Sequence, residues 1–436
     1  MSSKTMAKRV YGVLAAWVLF AALAVFLPER AKAAPDLGLE VRAALLVDAR
    51  TGRILYQDAQ IDTPYPPASM TKMMTEYLIL EAIQNGKLHW DDVLTADEAV
   101  YNLGRKRDSS GVFLNLGEKH TVRELFEAMA IYSANDATVM LAEGLAGSET
   151  DFVRLMNEKA KGLGLTNTHF VTSTGYPEDE LGDFRPNIDG EQQMSARDAA
   201  LLGLALVRDH PEVLEFTSVA RKKFPKDNGQ FIDMINYNKL LPGLAYAYEG
   251  VDGLKTGHTD KAKYSVTATA KRGEMRLIAV VIGAESEAKR AEAARKLFDY
   301  GFQSFDYVTL AQKGENLPDV KTFPVAKGKA RQVEVVLGAD VVDVAPKNGD
   351  APSLNPKLNA APLVAPVKAE TAVGVLDLQN DALPYISPAY AQAAAVPLVA
   401  KDDVPKANPI ALFFRAVMDF LGNLFGRIVA SFGGRP

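Results

Sequence analysis

The chain has 436 residues, enough for two or three domains, and its 48% hydrophobic and 24% charged residues are ordinary for a globular protein. Its formal net charge is −5 and it has no cluster of Lys and Arg, which argues against nucleic acid as a partner. Since there is no cysteine and the five histidines lie far apart, thiol nucleophiles and thiolate metal sites are excluded, and neither a metal nor an organic cofactor is expected.

The N-terminus has the features of an export signal. Three basic residues among the first nine precede an apolar run from Val10 to Leu27, and residues 31–33 (Ala-Lys-Ala) would suit a cleavage site. We therefore predict that residues 1–33 are a signal peptide. The run is longer than usual, so an uncleaved anchor is the alternative. Either interpretation places the rest of the chain outside the cytoplasm.

Strand-like and helix-like segments alternate from about residue 39 to residue 302, with Gly or Pro between them. The predicted strands cover residues 41–48, 54–56, 264–270 and 276–283, and the predicted helices cover residues 69–84, 121–132, 136–145, 151–161, 196–208 and 287–300. Helices around an antiparallel sheet predict an α+β domain, to which we assign residues 34–305. The helix over 69–84 is apolar nearly all round, so we expect it in the centre of this domain.

Residues 306–404 differ in character, because Val, Pro and Ala dominate and the short apolar runs alternate with polar residues. We predict a small all-β domain here. Its Pro- and Ala-rich stretch at 377–395 is expected to be a loop or an insertion.

The last segment, 405–436, is predicted to contain an amphipathic helix. Arg415, Asp419, Asn423 and Arg427 recur at every fourth position, and apolar residues surround them. Three charges argue against a transmembrane helix, and a core helix would be unusual at the end of a chain. An interfacial helix on a membrane surface fits best, with the other two interpretations as alternatives.

Three short motifs occur in chain order at domain-scale separations. They are Ser69-x-x-Lys72, Ser133-x-Asn135 and Lys255-Thr256-Gly257. The first opens the predicted apolar helix and puts a hydroxyl and an amine on one helix face. The second follows the next predicted helix, and the third is expected on a strand beside a cleft.

Each motif is weak alone, since the chain also contains Ser286-x-x-Lys289 and Ser353-x-Asn355. These second copies lack the succession of motifs that follows Ser69. The order of the three motifs and the predicted buried helix therefore single out Ser69 as the candidate nucleophile.

The motif residues can be combined into an acyl-transfer site. A serine hydroxyl needs a base, and Lys72 can act as one only if it is neutral. An apolar segment, a helix N-terminus and the nearby charge of Lys255 would all lower the pKa of Lys72. Ser133 can relay a proton, and Asn135 can bind a substrate amide.

The strand at 255–258 can also pair with an extended peptide. A backbone N–H from this strand and the N–H of Ser69 would together form an oxyanion hole.

The order of motifs is that of penicillin-binding proteins and class A β-lactamases. More closely, the chain resembles the D-alanyl-D-alanine carboxypeptidases of the penicillin-binding protein 5 type, serine peptidase family S11. The resemblance covers nearly everything after the signal. It includes Asp48-x-x-Thr51-Gly52, the stretches at 67–75 and 252–259, and Gly283-Ala284-Glu285 followed by Arg290.

The resemblance implies that the active-site serine attacks the penultimate D-alanine of a peptidoglycan stem peptide, and that β-lactam antibiotics acylate the same serine. The roles it implies are Ser69 as nucleophile, Lys72 as base, Ser133 as proton relay, Asn135 as partner of a substrate amide, Lys255-Thr256-Gly257 as the strand holding the substrate carboxylate, His258 as a backbone N–H donor and Arg290 as a cation near that carboxylate. For Arg290 a solvated charge on a helix is the alternative. The β domain and the terminal helix then resemble the family's second domain and its membrane anchor, on the periplasmic face of the inner membrane.

Rival functions remain open on sequence alone. A class A β-lactamase would need Glu-x-x-x-Asn between the second and third motifs, and we find no convincing copy. An endopeptidase of peptidoglycan cross-links would use the same machinery. A non-enzymatic binding protein would be expected to have lost Ser69 or Lys72. Three departures from the family pattern bear on substrate preference and on the shape of the cleft. They are Ala262-Lys263, an enlarged segment at 178–193 and the insertion at 377–395.

Overall fold

The computed structural model describes residues 35–349, 352–380 and 382–432, so the predicted signal peptide lies outside the described residues. The helices are α1 (Lys72–Gln84), α2 (Glu98–Leu103), α3 (Val122–Tyr132), α4 (Asn135–Ala146), α5 (Glu149–Gly162), α6 (Ala196–Asp209), α7 (Val213–Thr217), α8 (Glu287–Ser304), α9 (Pro388–Ala393) and α10 (Pro409–Phe432). The strands of the first part of the chain are β1 (Ala43–Asp48), β2 (Ile54–Gln57), β3 (Val93–Thr95), β4 (Lys119–Thr121), β5 (Thr168–His169), β6 (Gln193–Met194), β7 (Arg221–Pro225), β8 (Phe231–Ile235), β9 (Val251–Thr259), β10 (Lys263–Arg272) and β11 (Met275–Ala284). The later strands are β12 (Phe305–Ala311), β13 (Thr322–Ala326), β14 (Gln332–Leu337), β15 (Val341–Pro346), β16 (Ser353–Leu358), β17 (Leu363–Val364), β18 (Ala372–Gln379) and β19 (Val396–Ala400).

An antiparallel sheet in the order β2-β1-β11-β10-β9 organises the first part of the chain. Successive side chains of a strand point to opposite faces, and here both faces are covered. Leu45 and its partner Val280 belong to one apolar cluster, whereas Leu46 and its partner Ala279 belong to the other. Continuous burial on two faces explains why residues 43–47 of β1 and 277–284 of β11 form unbroken apolar runs.

Helices pack on the two faces of this sheet. Helix α8 covers one face and α6 covers the other, with α1 beyond α6 in the same apolar cluster. Side chains are buried along α1 from Lys72 to Leu80, so the prediction of a central helix is confirmed. The helix begins later than predicted, because residues 68–71 form a 3-10 turn with a bond from the Met70 N–H to the Pro67 oxygen. The predicted capping box at Thr121 is present at the start of α3.

The strands after Phe305 build the smaller β-rich part. Strand β12 pairs with β15, and the other six strands form a sheet in the order β16-β18-β19-β14-β13-β17. Buried apolar residues such as Leu337, Leu376 and Leu398 form its core. The predicted fold class is therefore confirmed: an α+β domain, a β-rich C-terminal part and a terminal helix.

The segment at 377–395 is more structured than the predicted loop. Its start continues β18 because these residues pair with β16, a partner that the local composition does not reveal. Its middle lies along the edge strand β2, where the Ile54 N–H donates to the Pro384 oxygen and the Ile386 N–H donates to the Gly52 oxygen, both at 2.8 Å. Its end forms α9. The segment therefore extends the edge of the main sheet.

A buried arginine also connects the main sheet with strand β15 of the β-rich part. The guanidinium of Arg53, next to β2, lies 2.7 Å from the Asp343 carboxylate on β15, and both side chains are at most 2% exposed. The same guanidinium donates to the backbone oxygens of Leu378 and Leu383. Removing either partner would leave a buried charge unpaired, so loss of one of them would destabilise the contact between the β-rich part and the main sheet.

Helix α10 turns its polar stripe towards the β-rich part. Arg415 donates to the backbone oxygens of Gly328 and Lys329, and Asp419 lies 2.9 Å from Arg331. The opposite side is apolar and exposed. Its exposed residues are Ile410, Phe413, Phe414, Val417, Met418, Phe420, Leu421, Leu424 and Phe425. Within residues 35–349, 352–380 and 382–432, no helix has the length and apolar character that crossing a membrane requires.

Candidate active site

Ser69 lies in the tight turn directly before α1, and two other segments pack against this turn so closely that only glycine fits. A β-carbon on Gly257 of β9 would lie 2.5 Å from the backbone oxygen of Pro67. A β-carbon on Gly175 would lie 1.9 Å from the backbone oxygen of Ala68, and the φ of Gly175 is +75°. Both approaches are shorter than any contact that a real side chain makes, so the two glycines let the walls of the site close on Ser69.

Lys72 makes the central contacts of the site. Its Nζ lies 2.9 Å from Ser69 Oγ and 2.6 Å from Asn135 Oδ1. A third contact of 2.8 Å reaches the backbone oxygen of Thr174. The side chain is 0% exposed, so no solvent competes for these contacts. The first and second motifs thus meet at one amine.

Burial lowers the pKa of Lys72 well below that of a free lysine, and the charge of Lys255 lowers it further. The carboxyl groups of Glu76, Asp136 and Glu149 act in the opposite direction but more weakly than burial. A lowered pKa favours the neutral form of the amine, and a neutral amine at 2.9 Å from a hydroxyl can take its proton.

Ser133 and Lys255 form the second pair of the site. Ser133 ends α3 in a left-handed conformation with φ of 57° and ψ of 28°. Its Oγ accepts a hydrogen bond of 2.9 Å from Lys255 Nζ, and both residues are buried. Burial also lowers the pKa of Lys255, as does the charge of Arg290, whereas Glu76 raises it. A hydroxyl that accepts from Lys255 keeps its own proton free for donation.

A loop that the sequence analysis did not single out holds Asn135. The Asn135 N–H donates to the Ser110 oxygen at 2.7 Å, and its Nδ2 donates to Ser109 Oγ at 3.0 Å. Ser110 Oγ in turn donates to the Ser133 oxygen at 2.7 Å. These bonds fix the amide of Asn135 with its oxygen towards Lys72.

The remaining predicted residues lie on β9 and α8. Thr256 is buried, and its backbone oxygen lies 3.3 Å from Lys255 Nζ. His258 is exposed at the end of the strand, with its ring centre 4.1 Å from that of Tyr264. Arg290 is only 5% exposed, so it is not a solvated helix charge, and it donates to the Tyr237 oxygen at 3.2 Å.

The second copies of the motifs have structural positions of their own. Ser286 caps α8 by accepting from the Lys289 N–H at 3.2 Å, and the Lys289 amine lies 3.3 Å from the Glu40 carboxylate. Ser353 and Asn355 lie on β16. None of these residues contacts the Ser69 turn through any described hydrogen bond or ion pair.

Sequence patterns did not reveal the site partners that come from loops, or the acid that shares the Lys72 face of α1. Thr174 and the Ser109–Ser110 pair carry no motif, and only the Gly175 that follows Thr174 hinted at a tight approach. Glu76, one turn beyond Lys72, was counted as part of an apolar helix although it is a buried acid. Across the described ranges no three His, Cys, Asp or Glu side chains group in a way that could hold a metal ion.

Comparisons with known proteins agree with this geometry. A family model described as D-alanyl-D-alanine carboxypeptidase matches residues 29–286, and one described as penicillin-binding protein 5, C-terminal domain, matches residues 305–406. The D-alanyl-D-alanine carboxypeptidase DacF of Bacillus subtilis is 33% identical over 396 residues, 91% of this chain and 94% of that protein.

Solved structures give the same picture. The peptidoglycan synthesis regulatory factor PBP3 of Streptococcus pneumoniae has a TM-score of 0.71 at 32% identity and covers 84% of this chain and 99% of its own. Penicillin-binding protein D2 of Listeria monocytogenes, solved in an ampicillin-bound form, has a TM-score of 0.51 at 34% identity and covers 62% of this chain and 99% of its own.

Proposed function

Because this chain belongs to the D-alanyl-D-alanine carboxypeptidases of serine peptidase family S11, we propose that Ser69 is its nucleophile and Lys72 the base that activates it. The protein is a serine D-Ala-D-Ala carboxypeptidase, which removes the terminal D-alanine of peptidoglycan stem peptides through an acyl-enzyme. The observation that carries the residue assignment is the 2.9 Å contact between the fully buried Lys72 amine and Ser69 Oγ.

The reaction then follows from the contacts around the two lysines. Ser69 Oγ attacks the carbonyl carbon of the penultimate D-alanine while its proton passes to Lys72 Nζ. The C–N bond breaks, and Ser133, which accepts from Lys255, gives its proton to the leaving amine and is reprotonated from Lys72. Water then attacks the ester with Lys72 again as base, which releases the shortened peptide and restores Ser69.

The other residues hold the substrate. Asn135 binds the peptide amide, and Lys255 with Thr256 and Gly257 holds the terminal carboxylate beside β9. Arg290 adds positive charge there; in support, its charge acts on both Lys255 and His258.

The oxyanion hole of this proposal consists of the backbone N–H groups of Ser69 and His258. Such donors stabilise the negative oxygen that develops during attack. The close approach of Gly257 to the turn before Ser69 supports the pairing, because it brings the two backbones together.

We extend the same chemistry to β-lactam antibiotics as covalent inhibitors. The ampicillin-bound form of the Listeria monocytogenes relative supports this extension. The strained amide of a β-lactam would take the place of the D-Ala-D-Ala bond and acylate Ser69.

The substrate assay tests the nucleophile against the second copy of its motif. We expect purified protein to release D-alanine from a stem pentapeptide, Ser69→Ala to reduce the release to background, and Ser286→Ala to leave it unchanged. The Ser286 variant loses a helix cap, worth about 1 kcal/mol, but no group of the site.

The same assay separates the two peptidase activities. Release of D-alanine much faster than cleavage of a cross-linked dimer supports the carboxypeptidase, whereas faster dimer cleavage would favour the alternative endopeptidase. Full activity of Ser69→Ala would refute the assignment of the nucleophile.

We also propose the boundaries and the location of the protein. Residues 1–33 would be removed as a signal peptide, 34–305 would form the catalytic domain, 306–404 the β domain, and 405–436 the anchor. The mature protein would then lie in the periplasm on the outer face of the inner membrane. The support is the pattern of the N-terminus, in which basic residues precede an apolar run and small residues follow it.

Helix α10 would attach the protein to this membrane. The support is its exposed apolar side, on which Phe413, Phe420 and Phe425 are each at least 66% exposed, opposite the stripe that contacts the β-rich part. A helix of this kind lies in the interface with its apolar side among the acyl chains.

Deleting residues 408–436 should move the protein from the membrane fraction to the soluble fraction without loss of D-alanine release. In the full chain, Phe413→Ser with Phe420→Ser should release it as well, because two large apolar contacts with lipid are lost. Asp419→Asn, on the polar stripe, is the control and should stay bound. A correctly processed truncated protein that still sediments with membranes would refute the anchor.

A further inference from the structure

Glu76 is a buried acid inside the active site that none of the steps above uses. It lies one helical turn beyond Lys72 on α1, so the two side chains share one helix face. The residue is 0% exposed. Neither carboxylate oxygen has a hydrogen-bond partner among the described residues. A carboxyl group in such a position is costly unless nearby charges compensate for its desolvation.

The other two acids near Lys72 are held quite differently. The Asp136 carboxylate accepts from the backbone N–H groups of Val112, Leu114 and Ala137. The Glu149 carboxylate accepts from the N–H and the hydroxyl of Ser173. Both acids therefore have local structural roles, and Glu76 is the one acid of this group without such bonds.

The charges that act on Glu76 come from the two active-site lysines. Burial raises the pKa of Glu76, and the positive charges of Lys255 on β9 and Lys72 on its own helix oppose that rise. In return, Glu76 raises the pKa of both lysines. The other charged groups that act on the lysines are Asp136 and Glu149 on Lys72, and Arg290 on Lys255.

We propose that Glu76 is a positioning residue whose negative charge balances the Lys72–Lys255 pair and sets the pH range in which one lysine is neutral and the other charged. This inference rests on the proposed roles of the two lysines. When the Ser69 proton passes to Lys72, two buried ammonium groups repel each other. The Glu76 carboxylate offsets the second positive charge. This stabilisation ends when the proton reaches the leaving amine, because Lys72 is then neutral again.

The sign of the effect follows from these roles. Lys72 must be neutral to act as base, so its pKa sets the acid limb of the profile of kcat/KM against pH. Lys255 must be charged to hold a carboxylate, so its pKa sets the alkaline limb. Burial raises the pKa of Glu76 to about 7, so its negative charge is present mainly above that pH. Removing this charge lowers the pKa of both lysines there, and the alkaline limb moves to lower pH.

The test is the pH profile of D-alanine release for the wild type, Glu76→Gln and Glu76→Ala. We expect the alkaline limb of each Glu76 variant, where Glu76 is charged in the wild type, to move to lower pH by about one unit, the usual size of the effect of a nearby opposite charge. Glu81→Gln is the control, because Glu81 lies on the same helix but pairs with Lys159 at 2.6 Å. Its profile should match that of the wild type.

A structural role alone would lower kcat/KM at every pH and leave the limbs in place, and that result in a folded Glu76 variant would overturn the inference. If Glu76→Gln does not fold, Glu76→Ala gives the same comparison without the amide. If the wild type releases D-alanine and the pH profiles of the Glu76 variants are not shifted, only the role of Glu76 is refuted. A Lys72→Met variant that keeps the pH profile of the wild type would instead refute the proposed role of Lys72 as base.

Discussion

Replacing Lys72 by methionine should lower the rate constant for acylation by a fluorescent penicillin by roughly 10³-fold, the usual contribution of a general base. Methionine preserves the volume of the side chain in the apolar helix but cannot accept a proton. Ser69 then keeps its proton and remains a poor nucleophile. The measurement is the time course of covalent labelling on purified protein of verified fold.

Two further variants define the reason for this loss. Lys72→Arg keeps a positive charge that cannot be removed at any accessible pH, and it should be as inactive as the methionine variant. Lys289→Met, in the second copy of the motif, should label at the wild-type rate. A Lys72→Met protein that labels within tenfold of the wild-type rate would show that another group takes the Ser69 proton.

The second large effect is expected at Gly175. A methyl group there meets the backbone oxygen of Ala68 at 1.9 Å, and a backbone atom cannot move away as the end of a flexible side chain could. Together with the left-handed φ, Gly175→Ala should destabilise the protein by about 2–5 kcal/mol. The displaced turn should also slow acylation of Ser69 by about 100-fold, because reacting atoms tolerate little misplacement.

Gly164 provides a matched control. It has the same φ of +75°, but an added β-carbon would meet nothing within 4 Å. Gly164→Ala should therefore lower the free energy of unfolding by only about 1–2 kcal/mol, the cost of the left-handed conformation. It should keep the wild-type acylation rate. Equal losses of stability and activity in the two variants would mean that the close approach to Ala68 has no role.

Much of the fold could be predicted because its signals are local. The apolar runs of β1 and β11, the capping box at Thr121 and the four-residue spacing around Arg415 each specify an element without reference to the rest of the chain. The Ser69-x-x-Lys72 pair was also local, although a second copy at Ser286 showed that the pair alone does not identify a site.

What could not be predicted depends on contacts between distant parts of the chain. Thr174 meets Lys72 across 102 positions of sequence, and Ser109 meets Asn135 across 26. Neither residue has a distinctive type. The docking of residues 383–386 on β2 depends on an open sheet edge, which no composition reveals.

The role of Glu76 was hidden for a related reason. An acid within an apolar helix is usually at the surface, and only the packing shows that this one lies inside with the two lysines. The order of the three motifs was the one long-range signal available, and it led to the correct family.

Mass spectrometry of the purified protein after reaction with benzylpenicillin tests the identity of the nucleophile most directly. We expect the wild type to gain the mass of one penicillin, located after digestion on the peptide that contains Ser69, and Ser69→Ala to gain none. A wild type without an adduct, or an adduct that persists in Ser69→Ala, would contradict the assignment of Ser69.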